Sequence, residues 1–211
     1  MKTLIITGGN INKEFLKNIL RENEYNKIIA ADKGLEILNK IDVKPDYIIG
    51  DFDSVNKEIL EQYKNIPITY LKPEKDFTDT HMALKLSVEK GAKKIIIVGA
   101  IGTRFDHSIA NIHILKEALE NSIEAEIIDE HNKIKLINTD TKINKDDKFK
   151  YVSLIPLTTS VKGITLEGFK YGLKDATLKI GESIGVSNEQ IDEKATIKIK
   201  EGILILIFSK D

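Results

Sequence analysis

Pro45-Asp46-Tyr47-Ile48-Ile49-Gly50-Asp51-Phe52-Asp53-Ser54 decides the fold. Its apolar centre, Tyr47–Ile49, reads as a short buried strand, and it ends abruptly in glycine and two carboxylates at i and i+2. Outward from this stretch the same ending recurs. Thr3–Thr7 runs into Gly8-Gly9, and Lys27–Ala31 into Asp32-Lys33-Gly34. Ile68–Leu71 runs through Lys72-Pro73-Glu74-Lys75 into Asp76-Phe77-Thr78-Asp79. Ile95–Val98 runs into Gly99-Ala100-Ile101-Gly102-Thr103-Arg104-Phe105-Asp106-His107. Helical patterns separate the runs: Glu14–Leu20, Gly34–Ile41, Asn56–Tyr63, Asp79–Lys90 and Asp106–Glu120. Strands this continuously apolar belong to a parallel sheet covered by helices on both faces. Parallel strands put all these endings on one rim, where open α/β sheets bind ligands.

After Asp129 the helical periodicity stops. Lys133–Ile137, Lys148–Ile155, Gly163–Glu167, Ala176–Lys179, Ala195–Lys200 and Ile203–Phe208 read as short strands, separated by turn signals such as Asn138-Thr139-Asp140 and Gly181-Glu182-Ser183. The predicted fold class is therefore α/β. An N-terminal three-layer α/β domain with a mostly parallel sheet covers residues 1–128, and a C-terminal all-β, sandwich-like domain covers 129–211. The Lys/Asp-rich stretch Lys142–Lys150, with mixed signs, reads as a solvated hairpin.

Bulk properties exclude several classes. A formal net charge of −1 gives no global field toward nucleic acid or an anionic membrane surface, so neither is expected as a partner. With 0 cysteines there is no disulfide framework and no thiolate chemistry. No apolar stretch approaches the roughly 20 residues of a membrane span. Met1-Lys2-Thr3-Leu4-Ile5-Ile6 leads straight into a strand without a signal peptide's layout, so the expectation is a cytoplasmic protein.

The rim carries the chemistry. In extended backbone, Asp51 and Asp53 face the same way with Phe52 turned into the core, a pair that can grip a hard cation; magnesium favours such oxygen ligands together with substrate phosphates. Asp79 stands near a helix start, where negative charge is favoured in any case. Asp32, Asp51, Asp53 and Asp79 facing one point would repel one another strongly, and a metal ion removes that cost. Gly99–Arg104 precedes a helix: its glycines allow close approach of a phosphate, helix N-termini offer free N–H groups, and Arg104 adds a permanently charged, bidentate donor. Asp106-His107 reads as the cap and first turn of that helix. Each feature alone has a plainer role in capping or turning, and the convergence outweighs it. The whole suits a metal-bound polyphosphate.

Taken in order, these segments resemble the thiamine pyrophosphokinase family. Ala31-Asp32-Lys33-Gly34 is similar to the family's Ala-Asp-Gly-Gly, and Pro45–Ser54 to its most distinctive stretch. Lys75-Asp76-Phe77-Thr78-Asp79 resembles its Asp-x-Thr-Asp element, Gly102–His107 its Gly-Gly-Arg-x-Asp-His, and Gly185-Val186-Ser187-Asn188-Glu189 its thiamine-contacting loop. The resemblance implies transfer of a pyrophosphoryl group from the co-substrate ATP to the hydroxyl of thiamine. It implies Mg²⁺ held by Asp51, Asp53 and Asp79, with Asp32 beside it as a metal or thiamine ligand and Arg104 on the phosphates. Gly50, Lys75, Asp76, Thr78, Gly102, Thr103, Asp106 and His107 would surround the nucleotide, and Ser187 and Asn188 would bind thiamine. A homodimer with thiamine between subunits is also implied. Lys33 and Thr103 depart from the family's glycines, and the chain lacks the tryptophan that could stack on the vitamin. Two other readings keep part of the pattern: the same transfer to another alcohol such as a hydroxymethylpterin, or a non-catalytic nucleotide- or metal-binding module.

Overall fold

The computed structural model describes residues 1–53, 55–72 and 76–211. Two compact units result, Met1–Glu130 and His131–Asp211.

In the first unit, strands β1 (Lys2–Ile6), β2 (Lys27–Ala31), β3 (Tyr47–Gly50), β4 (Ile68–Tyr70), β5 (Lys94–Val98) and β6 (Glu124–Ile128) alternate with helices. These are α1 (Lys13–Glu22), α2 (Gly34–Lys40), α3 (Lys57–Gln62), α4 (Asp79–Glu89) and α5 (Phe105–Glu120). The strand order is β4-β3-β2-β1-β5-β6, and every neighbouring pair is parallel. Alternation along each strand divides the core. Leu4, Ile6, Ala30, Ile48, Ile96 and Val98 pack with Leu16 and Ile19 of α1 and Leu35 and Leu38 of α2. Ile5, Ile29, Ile49, Ile95 and Ile97 are equally buried and belong to the other face, where α4 lies on β1, β2 and β3. Burying each such side chain contributes about 1.5–3 kcal/mol.

Helices α1, α3 and α4 start after short polar side chains. Asn12 Oδ1 accepts the Glu14 and Phe15 N–H groups, Asn56 Oδ1 that of Glu58, and Thr78 Oγ1 that of His81. Asp106 is not a cap: α5 begins at Phe105, and Asp106 lies inside its first turn, where a carboxylate suits the helix dipole.

The strand order creates a switch point. From β1 the chain steps outward to β4, then returns to the other side of β1 for β5 and β6. The loops after β1 and β5 therefore diverge and leave a crevice. They first run together: Thr7 N donates to Val98 O and Gly9 N to Gly99 O, both at 3.0 Å. A side chain on Gly9 would overlap the Gly99 carbonyl, which explains the glycine.

The second unit comprises β7 (Asn132–Ile137), β8 (Thr141–Asn144), β9 (Tyr151–Pro156), β10 (Ser160–Glu167), β11 (Ala176–Lys179), β12 (Lys194–Lys198) and β13 (Leu204–Ser209). β13 pairs antiparallel with β7 and β9, while β11, β10, β12 and β8 form an antiparallel sheet in that order. Inward residues of both sets share one core, including Val152, Leu154, Leu204 and Leu206 against Val161, Ile164, Leu178 and Ile197. This is the expected sandwich-like layer pair. One expectation fails. Thr141–Asn144 is an edge strand rather than part of a solvated hairpin: it pairs with β12 and buries Ile143, with a single apolar side chain among polar neighbours.

Candidate active site

Asp32, Asp51 and Asp53 come together at the rim of the parallel sheet. One carboxylate oxygen from each lies within 4.8 Å of the others. Asp32 follows β2, and Asp51–Asp53 follows β3. Asp32 N donates to Ile49 O at 2.9 Å, continuing the β2–β3 pairing beyond Ala31. Gly50 is needed at this crossing, since a Cβ there would press on the Asp32 backbone and on the Phe52 ring.

The route to convergence differs from the extended i, i+2 geometry that the sequence predicts. Phe52 has φ 59° and Asp32 has φ 47°, so both lie in the left-handed region. Asp51 Oδ1 accepts the Asp53 N–H at 3.3 Å, closing a turn. The Phe52 ring does enter the core, at 8% exposure. The side chains of Asp51 and Asp53 meet through a turn around Phe52, not along a strand.

Beside this group is a cleft of about 390 Å³ at the switch point. Gly8, Gly9 and Asn10 after β1 form one wall, and Gly99, Gly102, Thr103 and Arg104 after β5 form the other. Asp32 and Lys33 close it on one side, and Thr78, Asp79 and His107 also line it. Asp32 thus belongs to both the carboxylate group and the cleft. Asp79 lines the cleft from the first turn of α4 but is not one of the three clustered carboxylates, where the sequence grouped it with Asp51 and Asp53.

The β5–α5 loop is held by polar side chains on the buried face of α5. Asn111 Nδ2 donates to Ala100 O at 2.8 Å, and Gly102 N donates to Ser108 Oγ at 3.2 Å. Ser108 Oγ in turn lies 3.2 Å from Arg104 O as donor. Thr7 and Thr80 share a buried hydroxyl hydrogen bond of 2.8 Å at the cleft floor, linking β1 to α4. Arg104 forms a 2.6 Å ion pair with Asp106. That bond raises the Arg104 pKa, and with the His107 N–H it holds the Asp106 carboxyl below its ordinary value. Both side chains are exposed, so solvent screens the pair.

The remaining expected residues fall elsewhere. Asp76 is exposed before α4 and does not line the cleft. Lys75, and Ser54 of the acid-pair stretch, lie outside the described residues. Ser187 and Asn188 are in the second unit. Ser187 is exposed with φ 58°. Asn188 is buried and holds a neighbouring loop: its Oδ1 accepts the Tyr171 and Glu189 N–H groups, and its Nδ2 donates to Tyr171 O at 2.7 Å. That carboxamide is largely engaged by backbone rather than displayed.

Asn10, Thr7, Thr80 and Asn111 line the cleft without having been singled out from sequence. A signal existed in α5. Ser108, Asn111, Leu115 and Ala118, at helical spacing, form its buried face, whereas Ile109 beside it is 41% exposed.

The fold and cleft together define an α/β protein whose switch-point crevice joins a glycine-lined wall and an arginine to a carboxylate group suited to a metal-bound polyphosphate. Comparison with known proteins narrows this class. Residues 18–127 match the thiamin pyrophosphokinase catalytic domain, and residues 140–204 match the thiamin pyrophosphokinase vitamin B1 binding domain. The chain belongs to the thiamin pyrophosphokinase family. It is 33% identical to the thiamine pyrophosphokinase of Bacillus subtilis over 100% of both chains. It is 26% identical to thiamin pyrophosphokinase 1 of Caenorhabditis elegans, over 88% of this chain and 82% of that protein. The crystal structure of the B. subtilis enzyme superposes with a TM-score of 0.90 at 30% identity, covering 100% of each chain.

Proposed function

We infer that the chain catalyses ATP-dependent formation of thiamine diphosphate, the activity for which its relatives are named. The thiamine hydroxyl oxygen attacks the β-phosphorus of ATP, the bond from that phosphorus to the α-phosphate's bridging oxygen breaks, and AMP leaves. The observation that carries the reading is the meeting of Asp32, Asp51 and Asp53 within 4.8 Å, with Asp32 also lining the glycine-walled cleft. Carboxylates gathered this closely repel one another unless a cation accompanies them. An oxygen-only donor set fits Mg²⁺, which prefers carboxylates and phosphate oxygens.

In this reading Asp51, Asp53 and Asp32 hold the cation, and Asp79 faces the nucleotide from the start of α4. Bound Mg²⁺ would neutralise phosphate charge and make the alcohol more acidic. The backbone at Gly8–Gly9 and Gly99–Gly102 allows the phosphates to approach closely, and Arg104 and His107 meet their charge from the α5 side. Thr78 caps α4 and orders its first turn. A rim aspartate takes the hydroxyl proton. Residues 1–128 act as the ATP- and Mg²⁺-binding catalytic domain and 129–211 as the thiamine-binding domain, where Ser187 contacts the vitamin and Asn188 orders the loop that presents it. Exposed Ile180, Ile184 and Val186 around that loop support a homodimer that covers them.

The test is direct. Protein, ATP, Mg²⁺ and thiamine are incubated, and AMP and thiamine diphosphate are quantified. Both should form in equal amounts. AMP no higher than in a control lacking thiamine would overturn the assignment, and a hydroxymethylpterin consumed in place of thiamine would reassign the acceptor.

A further inference from the structure

The described non-glycine residues with positive φ are Asp32, Asp42, Phe52, Ser122, Asp175 and Ser187. Aspartate and serine are short polar residues that tolerate turns. Phe52 is the exception, because a bulky side chain in this region is disfavoured and persists only where surroundings impose it. Among the described residues, two hydrogen bonds close the turn, Asp53 N to Asp51 Oδ1 at 3.3 Å and Val55 N to Phe52 O at 3.4 Å, both long.

The Phe52 ring adds packing to those bonds. Its inner edge lies against Gly50, where the nearest ring carbon is 3.1 Å from the position a Cβ would take. The ring also meets Tyr70, edge-to-face at 5.3 Å between centroids and 79° between planes. Tyr70 is brought there by the sheet: it stands opposite Gly50 in the β3–β4 register, and Leu71 N donates to Gly50 O at 2.9 Å. Yet Tyr70 is 68% exposed at the end of the edge strand β4, too open to serve as core.

We propose that Phe52 and Tyr70 form an aromatic clamp that holds the Asp51–Asp53 turn in its left-handed form and thereby sets the spacing of the carboxylates that bind the divalent cation. They are positioning residues, acting through Asp51 and Asp53. The proposal rests on the cation reading given above. Removing Tyr70 leaves Phe52 in the core but free to rock, so the turn opens and cation affinity falls while the fold persists.

The experiment uses the full chain carrying Tyr70→Ala, Tyr70→Phe or Phe52→Leu, with Asp51→Asn as the site control. Three readouts are taken: amide exchange of Asp53 and Val55 without ligand, affinity for Mn²⁺ alone by electron paramagnetic resonance, and the Mg²⁺ dependence of AMP release. For Tyr70→Ala the expected results are faster exchange at both amides, Mn²⁺ affinity lowered about three- to tenfold, as loss of one aromatic pair implies, and a KM for thiamine unchanged. High Mg²⁺ should restore its rate. Phe52→Leu should behave likewise, and Tyr70→Phe should match the wild type. Wild-type exchange and wild-type Mn²⁺ affinity in both Tyr70→Ala and Phe52→Leu would overturn the clamp. Wild-type Mn²⁺ binding indifferent to Asp51→Asn would instead overturn the cation reading, and the exchange result alone would then decide the clamp.

Discussion

After β3 the chain turns through Asp51-Phe52-Asp53 on left-handed backbone anchored by a buried ring, and like charges meet. After β5 it turns through Gly99–Arg104 on hydrogen bonds from Ser108 and Asn111, and its cation rests on Asp106. The second loop lines the cleft and the first belongs to the carboxylate group that shares Asp32 with it, yet they are stabilised in opposite ways. The acid side brings together carboxylates of like charge. The cation side is internally satisfied before any ligand arrives. Changes on the acid side should therefore damage function more than stability. Changes to the bracing of the cation side should do the reverse.

The sharpest test of that contrast is Asp51→Asn. Turnover should fall by about 10² or more, the scale expected when a charge-stabilising group is lost at a reacting centre. The melting temperature without metal should hold or rise, because one of the clustered carboxylates becomes neutral. Adding Mg²⁺ should raise the melting temperature of the wild type, which binds the ion only when folded, and leave that of the variant nearly unchanged. An equal Mg²⁺-induced rise in both would erase the distinction between the loops. Chelation with EDTA should abolish AMP release in the wild type and Mg²⁺ should restore it.

Asn111→Ala examines the opposite side. Its side chain is buried, and its loss leaves the Ala100 carbonyl without a donor. The cost should be about 1–3 kcal/mol, the penalty of an unsatisfied buried polar group. In a chain of this size that corresponds to a fall in melting temperature of about 2–4 °C per kcal/mol. The KM for ATP should rise only severalfold, since Arg104 and the glycine wall remain. A fall in turnover as large as that of Asp51→Asn, with no loss of melting temperature, would reverse the contrast.

The same division governs what could be read from sequence. Buried parallel strands leave unbroken apolar runs, so the strand endings at Gly8, Asp32, Gly50 and Gly99 were legible, and with them the rim. The acids were legible as residue types. Their manner of convergence was not, because left-handed backbone at a phenylalanine contradicts that residue's preference and is imposed by Gly50, Tyr70 and the core. The grouping of Asp79 with Asp51 and Asp53 assumed that one rim means one point; Asp79 lines the cleft but is not among the three carboxylates that lie within 4.8 Å of one another. In α5, Ser108 and Asn111 escaped notice because polar residues on a buried face break the apolar stripe that marks a helix. Strand β8 was hidden for a related reason: an edge strand with one inward side chain, Ile143, looks like a polar turn. The regions that were hardest to read are those where tertiary contacts overrule local preference.

The smallest effect is expected from Asp106→Asn. The folded-state pKa of Asp106 is lowered from 3.8, chiefly by its bond to Arg104. A depressed carboxyl pKa contributes stability that is present above the unfolded value and is lost as pH falls through the folded one. The wild type and variant should therefore share the same melting temperature at pH values below the folded pKa. Above about pH 4, the ordinary carboxylate range, the wild type should gain slightly, and the difference should then stay flat to neutral pH. Because both partners are exposed, that gain should be close to the limit of measurement in 0.15 M salt. Arg104 stays cationic throughout, because a guanidinium keeps its proton at all these pH values, so the rate should change only a fewfold through poorer aim of the guanidinium. Melting curves from pH 2.5 to 7 and the KM for ATP would check both statements. If Asp106→Asn instead cost as much turnover as Asp51→Asn, the carboxylate would have to touch the reacting phosphates itself, and the ion pair with Arg104 would be a resting arrangement that the nucleotide breaks.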